Sequence, residues 1–221
     1  LFGDATENLR DSRGLVAHEL AHQWFGDYVT CKDWSHVWLN EGFATYYDWL
    51  HAGHRDGPDE TLWHLYSAAR GIVGNSDRRP MVSRDYKSAM DQFGYRAYPK
   101  GAWVLHMLRT QLGTDLYRRC VRTYLERHAL GTVVTEDLNS IVEELSGRSF
   151  DRFFDQYVYH ARHPELSVSY AWDEQYDLAK ITAKQTHEVD EDVLLFQVAT
   201  KVRFDFEDGL SVERDLLVTE A

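Results

Sequence analysis

The stretch HELAHQWFGDYVTCKDWSHVWLNEGFATYYDW, from His18 to Trp49, decides how the rest of the chain is interpreted. It contains the pattern H-E-x-x-H at His18, Glu19 and His22. Residues four apart on an α-helix lie one turn apart on the same face, so both imidazoles can point at one ion. Zinc binds imidazole nitrogen at about 2.0–2.1 Å. The spacing therefore predicts that His18 and His22 are two ligands of one Zn²⁺ ion.

Three acidic residues complete the predicted site. Glu19 lies about 100° round the helix from His18, so it flanks the metal, where a general base takes a proton from water. Glu41 follows His22 after eighteen residues, in a second helical stretch, and would be the third ligand of a His₂Glu site with one position open. Asp48, two turns further along that face, is predicted to accept a hydrogen bond from a ligand histidine and fix its tautomer.

An alternative interpretation of H-E-x-x-H is chance occurrence on a helix with no metal. The phrase Asn40-Glu41-Gly42 in an aromatic-rich helix favours the metal site. The aromatic residues around the two helices are predicted to pack in the core rather than to contact substrate: Trp24, Phe25, Trp34, Trp38, Phe43, Tyr46 and Tyr47.

Composition limits the classes of function. The 221 residues are 43% hydrophobic and 14% aromatic, enough for one large domain or two small ones. The net charge of −12 argues against nucleic-acid or anionic-membrane partners, which need basic patches. No run of eighteen apolar residues is present, so no membrane segment is predicted. Two cysteines, Cys31 and Cys120, make no disulfide framework, and this low usage favours a cytoplasmic location.

Periodicity predicts a helical domain over residues 1–164 and a small β-sandwich over 165–221. Residues 1–11 are expected to be a loose leading segment, with Ser12 capping the first helix and Thr135 capping a later one. Residues 27–35 and 75–91 are predicted loops, and the second could wall a substrate cleft. Further helices are predicted over 36–52, 58–73, 95–112, 115–128, 135–145 and 149–160. From residue 165 the pattern alternates, and Gly209 is predicted to turn a hairpin.

Two phrases resemble the M1 family of zinc aminopeptidases: His18–Gly26, and Trp38-Leu39-Asn40-Glu41-Gly42-Phe43-Ala44. The similarity runs from about residue 12 to 166. A second family element is Tyr98-Pro99-Lys100-Gly101, and the resemblance implies that Tyr98 stabilises the oxyanion of the tetrahedral intermediate. It further implies a thermolysin-like helical catalytic domain, one Zn²⁺ per chain, and a peptide substrate with a free amino terminus.

One family motif is missing. The family's Gly-x-Met-Glu-Asn sequence, which binds the substrate's amino group upstream of H-E-x-x-H, has no match in residues 1–17, and the chain opens without Met. We therefore expect a fragment of a larger enzyme that lacks the amino-terminal domain and has weak or no activity alone. Three other functions stay open: a thermolysin-like endopeptidase, an epoxide hydrolase of the same clan, and a non-enzymatic scaffold. The intact predicted ligands and Glu19 argue against the scaffold.

Overall fold

Helices occupy most of the first 160 residues of the computed structural model, which describes residues 5–206 and 208–219 and the side chains from Ser12 onward. The bounds of these helices are α1 Ala5–His22, α2 Trp38–Asp56, α3 Pro58–Val73, α4 Gly101–Leu112, α5 Thr114–Arg127, α6 Thr135–Ser146 and α7 Asp151–Phe154. Short 3₁₀ turns cover Trp34–His36 and Ala89–Gln92, and π-helical turns cover Arg96–Lys100 and Asp155–Tyr159. None of the helices in this described part has the length and apolar character needed to cross a bilayer.

The first helix starts earlier than predicted. It begins at Ala5, so Ser12 lies inside it and does not cap it. Residues 5–10 include Ala, Glu, Leu and Arg, which favour helix, and contain neither Gly nor Pro to stop it. The predicted cap at Thr135 is also wrong: Thr135 is the first residue of α6 and is fully buried, while Asp137 accepts the backbone N–H of Val134 at 2.8 Å.

Pro99 explains why the predicted helix 95–112 is divided. Proline has no backbone N–H, so the carbonyl of Tyr95 lacks its usual partner four residues later. The N–H of Lys100, five residues later, donates to it instead at 2.9 Å. The chain therefore makes one wider turn, Arg96–Lys100, before α4 continues.

A short parallel strand pair lies in a segment predicted to be a loop. Strand β1 (Val29–Cys31) pairs with β2 (Gly131–Val133), about one hundred residues later in sequence. The backbone N–H of Lys32 extends the pairing by donating to Val133 at 2.8 Å. Three residues are too few for a periodic signal, which is why the sequence pattern missed both strands.

The last part of the chain forms two antiparallel hairpins. Strand β3 (Leu166–Asp173) pairs with β4 (Leu178–Gln185), and β5 (Val198–Asp205) pairs with β6 (Ser211–Val218). The predicted turn at Gly209 is confirmed, with a φ of 85°. These hairpins are separate two-stranded sheets, so the β-sandwich and the boundary at 164/165 stay predictions.

The hairpins contact the helices through the buried side chain of Phe196. The alternating pattern of residues 193–206 predicts one strand, and this prediction is wrong at its start, because β5 begins only at Val198. Phe196 is fully buried, stacks on Tyr157 at 5.7 Å, and exchanges two hydrogen bonds with the side chain of Gln185. The side chain of Phe196 is buried against Tyr157, and its backbone groups bond the side chain of Gln185, so the residues just before β5 are not paired as a strand.

Helix α2 passes through the centre of the hydrophobic core. Phe43 is fully buried and stacks on Phe25, three residues after the end of α1, at 4.3 Å and on Tyr124 from α5 at 5.8 Å. The core prediction is wrong for two of the seven aromatic residues, Trp24 and Trp34, which are 49% and 47% exposed. Because α2 carries Glu41 and α1 carries both histidines, this packing holds the two halves of the candidate site together.

Candidate metal centre

Three donor atoms from two helices converge on one point. The Nε2 atoms of His18 and His22 are 3.1 Å apart, and each lies 3.2 Å from Oε2 of Glu41. Among the described residues, these three form the group of histidine and acidic side chains with the spacing of a metal site. The histidines lie one turn apart on α1, and Glu41 lies in the first turn of α2.

The dimensions of this triangle fit zinc. Ligands about 2.0–2.2 Å from a tetrahedral ion are separated from one another by roughly 3.3–3.5 Å, close to the 3.1–3.2 Å found here. The tautomer of His22 also fits. Its Nδ1 lies 2.9 Å from the carbonyl oxygen of Phe25, and a carbonyl can only accept, so Nδ1 carries the hydrogen. In the neutral ring, Nε2 then presents its lone pair to the centre of the triangle, as a metal ligand must.

The carboxylate of the triangle is held in an ionic state suited to a cation. Burial raises the pKa of Glu41, but hydrogen bonds from His18 and His22 outweigh burial and bring it to about 2. Glu41 in turn raises the pKa of His22, through its hydrogen bond and its charge, so in the metal-free protein a proton competes with a metal ion for Nε2 of His22. A carboxylate that stays ionised and is 8% exposed is a strong ligand for a divalent ion.

Glu19 lies beside the triangle without joining it. Two cavities open on the candidate ligands, one towards β1 with a volume of about 750 Å³ and one towards Tyr98 of about 560 Å³, and Glu19 lines both. Its carboxylate is exposed. The predicted base therefore borders the space in which a water molecule and a substrate would meet.

Tyr98 borders the same site from the π-helical turn before α4. Its ring stacks on that of His18 at 5.9 Å, with an interplanar angle of 16°. Burial and the negative charge of Glu41 raise the pKa of Tyr98 to about 12, so it is a neutral phenol near neutral pH and can donate a hydrogen bond. The wider turn forced by Pro99 carries this side chain to the ligands.

Asp48 is near the site, but the structure shows another hydrogen-bond acceptor for one of the two candidate ligand histidines, His22. Asp48 lines the cavity on the Tyr98 side together with His18, and burial raises its pKa. Within the described residues, no hydrogen bond joins it to His18 or His22. The acceptor present at His22 is the carbonyl of Phe25, which sequence reasoning missed because a backbone group leaves no mark in the sequence. The role of Asp48 stays a prediction.

Two further side chains fix the start of α2. Asn40 accepts a hydrogen bond from the backbone N–H of Cys31 at 3.1 Å and so ties the residue before Glu41 to β1. Asp33 caps the 3₁₀ turn that leads into α2, by accepting the backbone N–H of Ser35 at 2.9 Å. The sequence phrase Asn40-Glu41-Gly42 favours a functional position here, but it does not indicate that Asn40 bonds the backbone of Cys31.

His36 gives a prediction about stability and pH. It is 2% exposed, and burial lowers its pKa from the ordinary value of 6.5. The unfolded chain therefore takes up a proton below about pH 6.5 where the folded chain does not, and unfolding becomes easier as the pH falls. We expect the unfolding free energy of the native chain, relative to His36→Asn, to fall as the pH drops below about 6.5, by at most about 1.4 kcal/mol per pH unit. Denaturant titrations at each pH measure it; a difference independent of pH would contradict a buried neutral His36.

The sequence matches one family description over most of its length. The description "Peptidase family M1 domain" matches residues 3–157. The chain belongs to this family. Its relatives include aminopeptidase M1 of Arabidopsis thaliana, 34% identical over 170 residues, and aminopeptidase M1-D of Oryza sativa subsp. japonica, 34% identical over 159 residues. These matches cover 74% and 69% of this chain but only 19% and 18% of those proteins, so this M1 chain spans about a fifth of their length.

Solved structures share the fold of this M1 chain. An M1 zinc metallopeptidase from Deinococcus radiodurans, a mutant bound to a Tyr-Ser-Ala substrate, is 32% identical with a TM-score of 0.57, over 66% of this chain and 32% of that one. Aminopeptidase A of Legionella pneumophila, in complex with aspartic acid, has a TM-score of 0.75 at 23% identity, over 94% of this chain and 23% of that one. The second likeness extends beyond the helices to the hairpins and concerns the fold alone.

Proposed function

We propose that this chain carries the zinc site of an aminopeptidase, which hydrolyses the amino-terminal peptide bond of peptides. The single observation that carries the proposal is the triangle of His18 Nε2, His22 Nε2 and Glu41 Oε2, with sides of 3.1–3.2 Å. The ordinary zinc hydrolase site has this donor set, with a fourth position for water. Membership of the M1 family and the names of its relatives support the same reaction class.

The residues around the triangle have roles that follow from their chemistry. Zinc, when bound there, acidifies water and polarises the substrate carbonyl. Glu19 would accept the proton of the attacking water and return it to the leaving amine. Tyr98, a phenol at neutral pH, would donate a hydrogen bond to the oxygen on which negative charge develops. His18, His22 and Glu41 would hold the geometry, with Phe25 fixing the tautomer of His22.

The substrate class rests on the relatives and on charge. Several relatives are named aminopeptidases, and the Deinococcus radiodurans structure holds a tripeptide. The cavity towards β1 is lined by four carboxylates, Glu19, Asp27, Asp33 and Glu41, against one ammonium, Lys32. A field of this sign favours a substrate with a free ammonium group over one with a blocked amino terminus.

Removal of the proposed carboxylate ligand tests the metal site. We expect Glu41→Ala to reduce bound zinc from about one per chain to near zero after desalting, since only two ligands remain. Glu144→Ala is the matched control, because Glu144 is an exposed carboxylate that pairs with Arg127 away from the triangle. Elemental analysis of both variants gives the answer; stoichiometric zinc in Glu41→Ala would refute the ligand set.

A substrate comparison tests the reaction class. The zinc-loaded chain is incubated with a leucyl anilide and with the same compound carrying an acetylated amino group. Faster cleavage of the free amine is expected for an aminopeptidase. Cleavage of internal bonds in amino-blocked peptides would instead indicate an endopeptidase. Hydrolysis of an epoxide without peptide cleavage would indicate an epoxide hydrolase. Because weak activity is expected of this chain alone, zinc binding without turnover would indicate a metal-binding scaffold only if a full-length protein that contains this chain is inactive as well.

A further inference from the structure

A buried polar network connects the start of α2 to the start of α6. Nδ1 of His36 lies 3.0 Å from Oγ1 of Thr135 and accepts the backbone N–H of Thr135 at 3.2 Å. The indole N–H of Trp38 donates to the same Oγ1 at 3.0 Å. All three side chains are buried, with exposures of 2%, 0% and 1% for His36, Thr135 and Trp38. One hydroxyl thus contacts two side chains that are almost one hundred residues away in sequence.

The parallel strands explain how these residues meet. Strand β1 ends at Cys31 and β2 ends at Val133, and the two strands run side by side in register. Helix α2 begins seven residues after β1, with the 3₁₀ turn Trp34–His36 between them, and α6 begins two residues after β2. The two helix starts therefore leave the same end of the strand pair, and Thr135 is the point at which they are joined.

The network acts on the turn that carries a metal ligand. Glu41 is three residues after Trp38, so both lie in the first turn of α2. The residue before α2, Val37, offers no side-chain cap, and the first turn is held by contacts outside the helix. The hydrogen bond from Cys31 to Asn40 is one of these contacts, and the hydrogen bond from Trp38 to Thr135 is another. A buried indole N–H without an acceptor costs free energy, so loss of the hydroxyl would drive Trp38 to move.

We infer that Thr135 is a positioning residue for the metal centre, which acts through Trp38 and His36 to hold the first turn of α2 and hence the carboxylate of Glu41. This inference deepens the proposed metal site and rests on it. Groups that orient metal ligands from outside the coordination shell change metal affinity about 10- to 100-fold when removed. Thr135 acts through a helix turn, so its effect lies at the lower end of that range.

Zinc affinity of two matched variants tests the inference. Thr135→Val keeps the shape of the side chain and removes the hydroxyl, whereas Thr135→Ser keeps the hydroxyl and removes the methyl. With a competing chelator, we expect Thr135→Val to raise the Kd for Zn²⁺ about tenfold and Thr135→Ser to leave it within about twofold. Ile141→Val, a buried change on the same helix, controls for general destabilisation and should leave the Kd unchanged. Equal affinity of Thr135→Val and the native chain, or an equal loss in Thr135→Ser or Ile141→Val, would overturn the inference.

A second measurement separates this inference from the proposed function. Amide hydrogen exchange of residues 38–42 is followed in the metal-free protein. We expect exchange in Thr135→Val to be about tenfold faster than in Thr135→Ser, with no such difference in α3. If the native chain binds no zinc, the proposed function fails, and this exchange difference still decides whether Thr135 holds the turn. If Thr135→Val does not fold, Trp38→Phe, which removes the indole donor, takes its place in both measurements.

Discussion

Replacement of Glu19 by Gln, in a full-length protein that contains this chain, is expected to lower kcat/KM for an amino-acyl anilide by about two to four orders of magnitude, the usual contribution of a general base. Glutamine has nearly the same size but cannot accept a proton from water at neutral pH. Because Glu19 lines both cavities at the ligand triangle but is not part of the triangle, zinc should stay at one per chain. The turnover rate and the zinc content are therefore both measured on the same sample.

A control at another carboxylate makes the result specific to Glu19. Glu144→Gln removes a remote exposed charge, and we expect it to keep both turnover and zinc. Normal turnover in Glu19→Gln would show that another group takes the proton. Loss of zinc together with turnover would show that Glu19 supports the metal rather than the proton transfer. The comparison requires zinc-loaded samples, since the rate per bound zinc is the quantity of interest.

Local spacing made part of this site predictable. Two histidines four apart on a helix must share a face, whatever the rest of the fold, and the structure has Nε2 of His18 and His22 3.1 Å apart. The helix that carries Glu41 was also predictable, because its apolar residues recur at helical intervals. That Glu41 meets the histidines did not follow from periodicity. It depends on how α1 packs on α2, and it was expected from the downstream phrase and the family resemblance.

Contacts through backbone atoms and distant partners were not predictable. The carbonyl of Phe25 acts on His22 whichever side chain stands at position 25, so no residue type marks it. Thr135 was predicted to cap α6, yet its hydroxyl is directed to His36 and Trp38, which are brought to it by a strand pair of three residues each. Cap signals are local, and a buried tertiary partner outweighed the local preference here.

Two glycines lie so close together that replacement of either should lower the stability of the chain, which is the second large expected effect. Gly42 follows Glu41, and Gly101 follows the turn that holds Tyr98. A Cβ placed on Gly42 would lie 3.0 Å from the Cα and the carbonyl carbon of Gly101, and a Cβ on Gly101 would lie 3.0 Å from the Cα of Gly42. Backbone atoms cannot rotate away as side chains do, so α2 and α4 would have to separate. The glycines of both family phrases thus have a packing reason: they let the Tyr98 turn approach Glu41.

We therefore expect Gly42→Ala and Gly101→Ala each to lower the unfolding free energy by about 2 kcal/mol, the middle of the range for overpacked cores. Gly71→Ala is the control, since Gly71 lies in α3 with no atom near its missing Cβ, and it should be neutral or stabilise by up to about 1 kcal/mol. Once one alanine has separated the helices, the second meets less resistance, so the double variant should cost less than the sum of the single variants. Denaturant unfolding of the native chain, the two single variants and the double variant measures this coupling. If both alanines stabilised the chain as Gly71→Ala does, the two helices would not be in contact, and the position of Tyr98 beside Glu41 would need another cause.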